Sequence, residues 1–314
     1  MSVRLGLLLD KVYKEHDTGP GHPERPERYD AVTAALERSG LLHHVERLKP
    51  RKAEVDEIAL CHNRDYIALV EREVEAGRHE LSTGDATICP RSYEVALAAV
   101  GGVLEAVDGV CKGELDRAFC AVRPPGHHAR PNQGMGFCLF NNIALAARYA
   151  QSKHGLERVL IADWDVHHGN GTQDVFYEDG SVFFFSTHQA PWYPGTGKEW
   201  ERGEGKGRDT TLNCPFPAGS GREEILGAFR HKLLPAARVF RPDLVLISAG
   251  FDSRKGDPLG QFLLTDDDFR EMSEILLELA SVTAGGRLIS LLEGGYSLHG
   301  LAAGVQAHVE ALET

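Results

Sequence analysis

The sequence lacks an apolar run long enough to span a bilayer, and residues 1–20 lack the pattern of a secretory signal peptide. Its six cysteines are scattered, with no Cys-x-x-Cys pair among them. No stripe of basic residues is present, and the net charge of −12 disfavours non-specific binding to nucleic acid. These absences argue against a membrane protein, a disulfide scaffold, a zinc finger and a nucleic-acid-binding protein. They favour a cytoplasmic protein with reduced thiols.

Short apolar runs alternate with amphipathic stretches along the 314 residues. The predicted strands are 3–9, 117–122, 158–162, 181–186, 244–248 and 287–292. The predicted helices are 31–39, 65–76, 92–110, 143–153, 223–240, 266–284 and 300–312. This order predicts an α/β fold with a mainly parallel sheet covered on both faces by helices. Because no repeat, low-complexity segment or flexible linker interrupts the pattern, we expect residues 1–314 to form one domain.

Polar clusters stand at or just after the ends of five predicted strands. They are Arg123-Pro124-Pro125-Gly126-His127-His128, the segment 163–171, Ser186-Thr187-His188, Gly250-Phe251-Asp252 and Glu293-Gly294-Gly295-Tyr296. The carboxyl ends of parallel strands share one edge of a sheet, so these clusters should converge on one site. Taken singly, an aspartate after a strand is commonly a helix cap and paired glycines are commonly a turn. Their joint occurrence favours a functional site.

Asp165 and His167 are two residues apart after an apolar run, so their side chains point to the same side of the sheet. Asp252, after another apolar run, supplies a third ligand of the right type. Two carboxylates and one imidazole with an open coordination position are typical of a catalytic metal site. Zn²⁺ is the default for such a set, and Fe²⁺ or Co²⁺ remains open.

Together these motifs resemble the zinc-dependent histone deacetylase family, which includes acetylpolyamine amidohydrolases and bacterial deacetylase-like amidohydrolases. The matching segments run in the family's order from 22–28 through 134–142 to Tyr296, and the asparagines in 140–142 and at Asn170 resemble the class II branch. The resemblance implies an arginase/deacetylase-like fold, with about eight mainly parallel strands between helices. It also implies one Zn²⁺ per chain and deacetylase activity.

The resemblance also assigns roles to five catalytic residues. His128 takes a proton from the attacking water and later gives it to the leaving amine, while His127 is its electrostatic partner. Asp163 orients His127, and Asn170 orients His128. Tyr296 donates a hydrogen bond to the tetrahedral oxygen.

A narrow channel to the metal is implied as well. Its lining residues would be Gly136, Phe137, Trp192, Tyr193 and Leu259. For Trp192 and Tyr193 the alternative is a pair of surface aromatics in a proline-rich loop.

The family resemblance further implies structural K⁺ or Na⁺ ions held mainly by backbone oxygens. The first site would use Asp163, Asp165, His167, Ser186 and Thr187, and the second Phe176, Asp179 and Val182. For Ser186 and Asp179, ordinary turn and strand-end polarity is the alternative.

The expected activity is zinc-dependent hydrolysis of acyl-lysine or a small acylated amine, with no nucleic-acid or membrane partner and with homo-oligomerisation left open. Leu259 stands where a polyamine-selective relative carries Glu, which favours acyl-lysine or a neutral amide over a polyamine. An acidic residue elsewhere, such as Glu24 or Glu27, is the alternative source of charge at the entrance. Three different functions stay open: an acetylpolyamine deacetylase, a non-catalytic acyl-lysine-binding protein and an arginase-like ureohydrolase, which would need two metal ions.

Overall fold

The computed structural model describes residues 3–314 and contains one eight-stranded sheet. The strands are β1 (Leu5–Leu8), β2 (Glu46–Leu48), β3 (Arg117–Cys120), β4 (Val159–Asp163), β5 (Val182–Gln189), β6 (Thr211–Phe216), β7 (Leu244–Ala249) and β8 (Leu288–Leu292). Their order in the sheet is β2-β1-β3-β8-β7-β4-β5-β6, and every neighbouring pair is parallel. The predicted α/β fold with about eight parallel strands is confirmed.

Ten α-helices connect and cover the strands within the described residues. They are α1 (Glu27–Arg38), α2 (Val55–Ile58), α3 (Arg64–Glu75), α4 (Ser92–Cys111), α5 (Asn142–His154), α6 (Asn170–Phe176), α7 (Arg222–Ala228), α8 (Leu234–Phe240), α9 (Asp266–Thr283) and α10 (Leu298–Leu312). The helix predicted over 223–240 is interrupted by a π-helical segment, Phe229–Leu233. Pro235, at the start of α8, has no backbone N–H to donate into the preceding turn, which accounts for the interruption.

The sequence patterns did not predict the two edge strands, β2 and β6. β2 has only three residues, of which two are exposed, so it has no apolar run. β6 contains Pro215, which is tolerated because an edge strand need not donate every backbone hydrogen bond. β5 is longer than predicted and ends at Gln189, so Ser186-Thr187-His188 lies inside the strand and not after it.

The two faces of the sheet are buried in two apolar cores because side chains alternate along each strand. On β7, Leu244 and Leu246 enter the core that is covered by α3, α4 and α5. Val245 and Ile247 enter the opposite core, which is covered by α1, α9 and α10. This sandwich holds the carboxyl ends of the parallel strands at one common edge. No helix of residues 3–314 combines the length and apolar character needed to cross a membrane.

Candidate active site

The predicted metal ligands come together at the carboxyl edge of the sheet. Asp165 and His167 follow β4, and Asp252 follows β7, the strand that pairs with β4. One ligand atom from each side chain lies within 4.8 Å of the others, and all three residues are buried. The distance and the donor set suit one divalent metal ion.

The carboxylate of Asp252 tests whether these residues fit a metal. Its Oδ1 accepts a hydrogen bond of 2.9 Å from the backbone N–H of Val166. Its Oδ2 is buried, has no hydrogen-bond donor and lies 3.2 Å from Nδ1 of His167. A buried carboxylate oxygen without a donor costs free energy, and a bound cation would remove that cost. The ligand set therefore fits the metal that the sequence predicts.

Two glycines leave room for the carboxylates to pack against the backbone. A Cβ atom at Gly250 would overlap the carboxylate of Asp165, and one at Gly294 would overlap the carboxylates of Asp252 and Asp165. The N–H of Gly294 instead donates to Oδ2 of Asp165 at 2.8 Å. The Gly-Gly turn thus brings the backbone directly against the ligands.

The two histidines lie side by side, and their rings are 4.0 Å apart. Nδ1 of His127 is 3.0 Å from Oδ2 of Asp163, and Nδ1 of His128 is 2.7 Å from Oδ1 of Asn170. An amide oxygen only accepts, so Nδ1 of His128 is the protonated nitrogen and Nε2 is the one able to accept a proton.

The surroundings drive the pKa values of these histidines apart. Burial alone would lower the pKa of His127, but Asp163 and Asp165 outweigh it and raise the pKa to about 10. Burial, together with the charges of His127 and His167, lowers the pKa of His128 well below its ordinary value. The pair therefore combines one cationic with one neutral imidazole near pH 7.

A cavity of about 230 Å³ leads to His128 and His167. All five predicted channel residues line it, as does Tyr296. Trp192 and Tyr193 are 38% and 36% exposed, so they are at the same time surface residues and cavity-lining residues. The Tyr193 ring is 5.2 Å from the His128 ring. A narrow cavity with apolar and aromatic walls suits a linear methylene chain.

Asp85 also lines the cavity, although no sequence pattern predicted it. Its Oδ1 accepts hydrogen bonds from the N–H of Gly136 (2.8 Å) and the hydroxyl of Tyr193 (3.1 Å). In the sequence, the Gly84-Asp85 pair is an ordinary turn signal. A turn pattern of this kind does not indicate that the aspartate lines a cavity, so the sequence does not single out Asp85.

A buried ion cluster supports the turn that carries Tyr296. Arg28 donates to the carbonyls of Gly295 (2.8 Å) and Glu293 (2.5 Å) and to Glu24 (3.0 Å). Its guanidinium lies 5.2 Å from the centre of the Tyr296 ring. Glu24 is fully buried, so the expectation that it could charge the entrance is wrong.

A second carboxylate that no sequence pattern predicted, Asp257, holds the same turn. Its Oδ2 accepts from the N–H groups of Tyr296 (2.7 Å) and Ser297 (2.9 Å), and its Oδ1 accepts from Leu259 (2.9 Å). One buried side chain therefore fixes both the tyrosine and the rim leucine.

The residues predicted for monovalent cations fall into two places. Asp163 on β4 is the register partner of Ser186 on β5, so the first set adjoins the metal ligands. The second set spans the turn between α6 and β5, where the carbonyl of Phe176 accepts from the N–H of Asp179 at 3.0 Å. Val182 begins β5.

The fold and this arrangement of side chains define the arginase/deacetylase class of α/β proteins. A profile described as "Histone deacetylase domain" matches residues 22–312. The chain belongs to the histone deacetylase family.

Individual relatives agree with this assignment. The chain is 40% identical over 315 aligned positions to the histone deacetylase-like amidohydrolase of Pseudomonas aeruginosa. The alignment covers 95% of this chain and 83% of that protein. It is 38% identical over 297 residues to a probable deacetylase of Archaeoglobus fulgidus, and the alignment covers 94% of this chain and 82% of that protein. It is 41% identical over 304 residues to the human polyamine deacetylase HDAC10, with coverage of 92% and 44%. The crystal structure of the HDA15 HD domain superimposes with a TM-score of 0.94 at 35% identity, covering 99% of this chain and 90% of that one.

Proposed function

We propose that this protein is a zinc-dependent amidohydrolase that removes acetyl or other acyl groups from acyl-lysine or related acylated amines. The observation that carries the proposal is the buried Asp165–His167–Asp252 set next to a neutral His128, where a narrow cavity ends. The proposed metal ligands, the proposed base and a channel of suitable size lie together, and amide hydrolysis needs such an arrangement.

The division of labour follows from the geometry. Asp165, His167 and Asp252 would hold the zinc, which would supply a Lewis acid for the amide carbonyl and lower the pKa of the attacking water molecule. Nε2 of His128 accepts the proton of that water and returns it to the leaving amine, because Nδ1 is committed to Asn170. His127, kept cationic by Asp163, stabilises the negative charge that develops. The Tyr296 hydroxyl donates to the carbonyl oxygen as it becomes an oxyanion.

The rim supports acyl-lysine or a neutral acyl amide as the preferred substrate. Leu259 lines the cavity and offers no charge to a distant ammonium group. An acetylpolyamine is the second candidate, because Asp85 places a carboxylate on the same cavity and because one relative is named a polyamine deacetylase.

A binding protein without activity and a ureohydrolase both fit the site less well. A non-catalytic acyl-lysine-binding protein would not need the base, the oxyanion donor and the ligands that meet here. An arginase-like ureohydrolase would need a second metal, and within residues 3–314 one ligand set of three side chains is found.

We also propose structural K⁺ or Na⁺ at the two sets of backbone oxygens, one beside the metal ligands and one between α6 and β5. The register pairing of Asp163 with Ser186 supports the first of them.

All six cysteines are unpaired, which supports a reducing compartment such as the cytoplasm.

The test is a substrate panel measured with the zinc-loaded protein. The panel contains acetyl-lysine peptides, longer acyl-lysine peptides, acetylspermidine and acetylputrescine, with kcat/KM and metal stoichiometry determined on the same preparation. We expect one divalent ion per chain and turnover of acyl-lysine. One bound zinc without turnover of any substrate would favour the non-catalytic binding protein, and two bound metals would favour the ureohydrolase.

A further inference from the structure

We infer that Met135 is a positioning residue, whose thioether sulfur fixes the orientation of the Asn170 amide and thereby the tautomer of His128. This inference rests on the proposed function, in which His128 is the base. Met135 is half-buried and does not belong to the residues that line the cavity.

The three side chains form a hydrogen-bonded series. Oδ1 of Asn170 accepts from Nδ1 of His128 at 2.7 Å, and Nδ2 of Asn170 donates to the sulfur of Met135 at 3.5 Å. Asn170 is buried, and within residues 3–314 its Nδ2 makes no other hydrogen bond. The sulfur is therefore the acceptor that satisfies the donor end of the amide.

The orientation of this amide decides which ring nitrogen of His128 carries the proton. In the observed orientation Nδ1 is protonated and Nε2 is an acceptor. If the amide were flipped, its NH₂ group would face Nδ1, the ring proton would move to Nε2, and His128 could not take a proton from water. The flip would also place Oδ1 against the lone pairs of the Met135 sulfur. The sulfur thus disfavours the inactive tautomer by repulsion and favours the active one by accepting a hydrogen bond.

The loop around Met135 is held on both sides. The N–H of Gly134 donates to the Thr83 hydroxyl at 3.2 Å, and the N–H of Gly136 donates to Asp85 at 2.8 Å. The sulfur is therefore carried by a loop that is anchored one residue before and one residue after it.

Asn170 is held from the other side by the start of α6. The N–H of Thr172 donates to the carbonyl of His127 at 3.2 Å, and a Cβ atom at Gly171 would overlap the backbone of Ala129. Helix α6 thus lies directly on the histidine pair, which leaves the amide rotation of Asn170 as the local freedom that Met135 restricts.

Met135→Leu tests this because leucine has a similar volume but no acceptor, whereas Met135→Gln keeps one. We expect kcat of the leucine variant to fall about three- to tenfold, the range for one weak hydrogen bond to a reactive group, with KM unchanged. The glutamine variant should keep most of the wild-type kcat. Equal rates for wild type and Met135→Leu, or a change confined to KM, would overturn the inference.

A double-mutant cycle compares Met135→Leu in wild type with Met135→Leu in an Asn170→Asp background. A carboxylate presents an acceptor to His128 in either orientation, so Met135→Leu should have no further effect on kcat there. If Met135→Leu lowered kcat in the Asn170→Asp background as much as in wild type, the effect would come from packing, and the positioning role of Met135 would be overturned.

The tautomer itself is observable without turnover. Ring ¹⁵N–¹H correlation spectra of protein with labelled histidine, assigned with His128→Ala, should show Nδ1–H in wild type and a detectable Nε2–H population in Met135→Leu. Identical spectra would refute the positioning role of Met135 even if wild type hydrolysed no substrate. The positioning role and the proposed function therefore fail by different measurements.

Discussion

Two buried groups of charged side chains lie within this molecule, and they differ in how their charges are balanced. The support cluster consists of Glu24, Arg28 and Arg123, and the ligand cluster consists of Asp165, His167 and Asp252; every one of these residues is buried. In the support cluster both oxygens of Glu24 meet guanidinium groups, at 2.5 to 3.0 Å. In the ligand cluster two carboxylates share one imidazole, and Oδ2 of Asp252 has no donor.

The pKa values follow the same division. Burial alone would raise the pKa of Glu24, but Arg123 and Arg28 outweigh it and lower the pKa to about 2. Burial and the charge of Asp165 raise the pKa of Asp252 to about 7. In the support cluster each oxygen of the single carboxylate is paired with a guanidinium group, which supports the fold. The ligand cluster has two carboxylates for one imidazole, and a bound cation would offset this excess of negative charge.

Of the substitutions that test this comparison, Asp252→Asn should have the largest effect, on zinc content and turnover. The substitution keeps the volume and the acceptor for Val166 but removes a negative charge from the ligand cluster. We expect zinc content to fall from one per chain to near zero and turnover to be lost, because three ligands are needed to hold the metal. The melting temperature of the metal-free protein should not fall, because a repulsive carboxylate is removed.

Metal analysis and kcat/KM on the purified variant provide the check. Asp267→Asn, at an exposed aspartate, is the control and should behave as wild type. A variant at position 252 with wild-type zinc content and turnover would show that the ligand assignment is wrong.

His128→Ala probes the neutral imidazole beside the ligand cluster. We expect kcat to fall by about 10²–10⁴-fold with a small change in KM, because proton transfer contributes mainly in the transition state. His127→Ala should also lower kcat, through loss of the cation next to Asp163. Steady-state kinetics with His299→Ala as an exposed control provide the measurement. A full-rate His128→Ala enzyme would contradict the mechanism.

Glu24→Gln probes the support cluster, where stability and not metal binding should respond. Removal of the charge leaves Arg28 and Arg123 buried without their partner, and breaking such a pair costs about 3–5 kcal/mol of unfolding free energy. Because the folded pKa of Glu24 lies below its ordinary value, its stabilisation is present above pH 4.5 and lost as pH falls toward about 2. The stability gap between wild type and variant should therefore close on acidification.

Urea unfolding of metal-free protein at several pH values measures this gap. Asp56→Asn, which removes the exposed pair with Arg64, is the control and should change little. Loss of zinc binding by Glu24→Gln in its folded state would contradict the separation of the two clusters.

The central strands could be predicted from the sequence because both of their faces are buried. Strands such as β7, with the sequence Leu-Val-Leu-Ile-Ser-Ala, are nearly continuous apolar runs, and such runs are typical of parallel sheets. β2 could not be predicted, because a short, exposed edge strand is specified by pairing with β1 and not by its own composition.

A similar division applies to the candidate site. Asp165 and His167 could be predicted to lie near the site because they directly follow an apolar run that forms a strand. They lie just beyond the end of β4, so the alternation of side chains along a strand, on which their direction was predicted, does not apply to them. Asp85 and Met135 lie on loops, and their contacts with the site arise from packing that leaves no periodic trace in the sequence. The burial of Glu24 was not foreseen because a charged residue is expected at the surface unless its partners are known, and Arg123 is 99 positions away.

The smallest expected effect concerns the rim, where the cavity lining meets solvent. Leu259 gives no favourable contact to a distal ammonium group, so wild type should prefer acetyl-lysine peptides over acetylspermidine in kcat/KM. Leu259→Glu should shift that ratio toward the polyamine by about two- to fivefold, as expected of one solvent-exposed charge pair. The shift should shrink at high salt, since exposed charges are screened over about 10 Å at 0.1 M ionic strength. Both substrates are measured on both proteins at low and high salt, with Leu263→Glu as a control at an exposed leucine outside the cavity lining. A wild-type preference for acetylspermidine would mean that Asp85, and not position 259, sets the charge that the substrate meets.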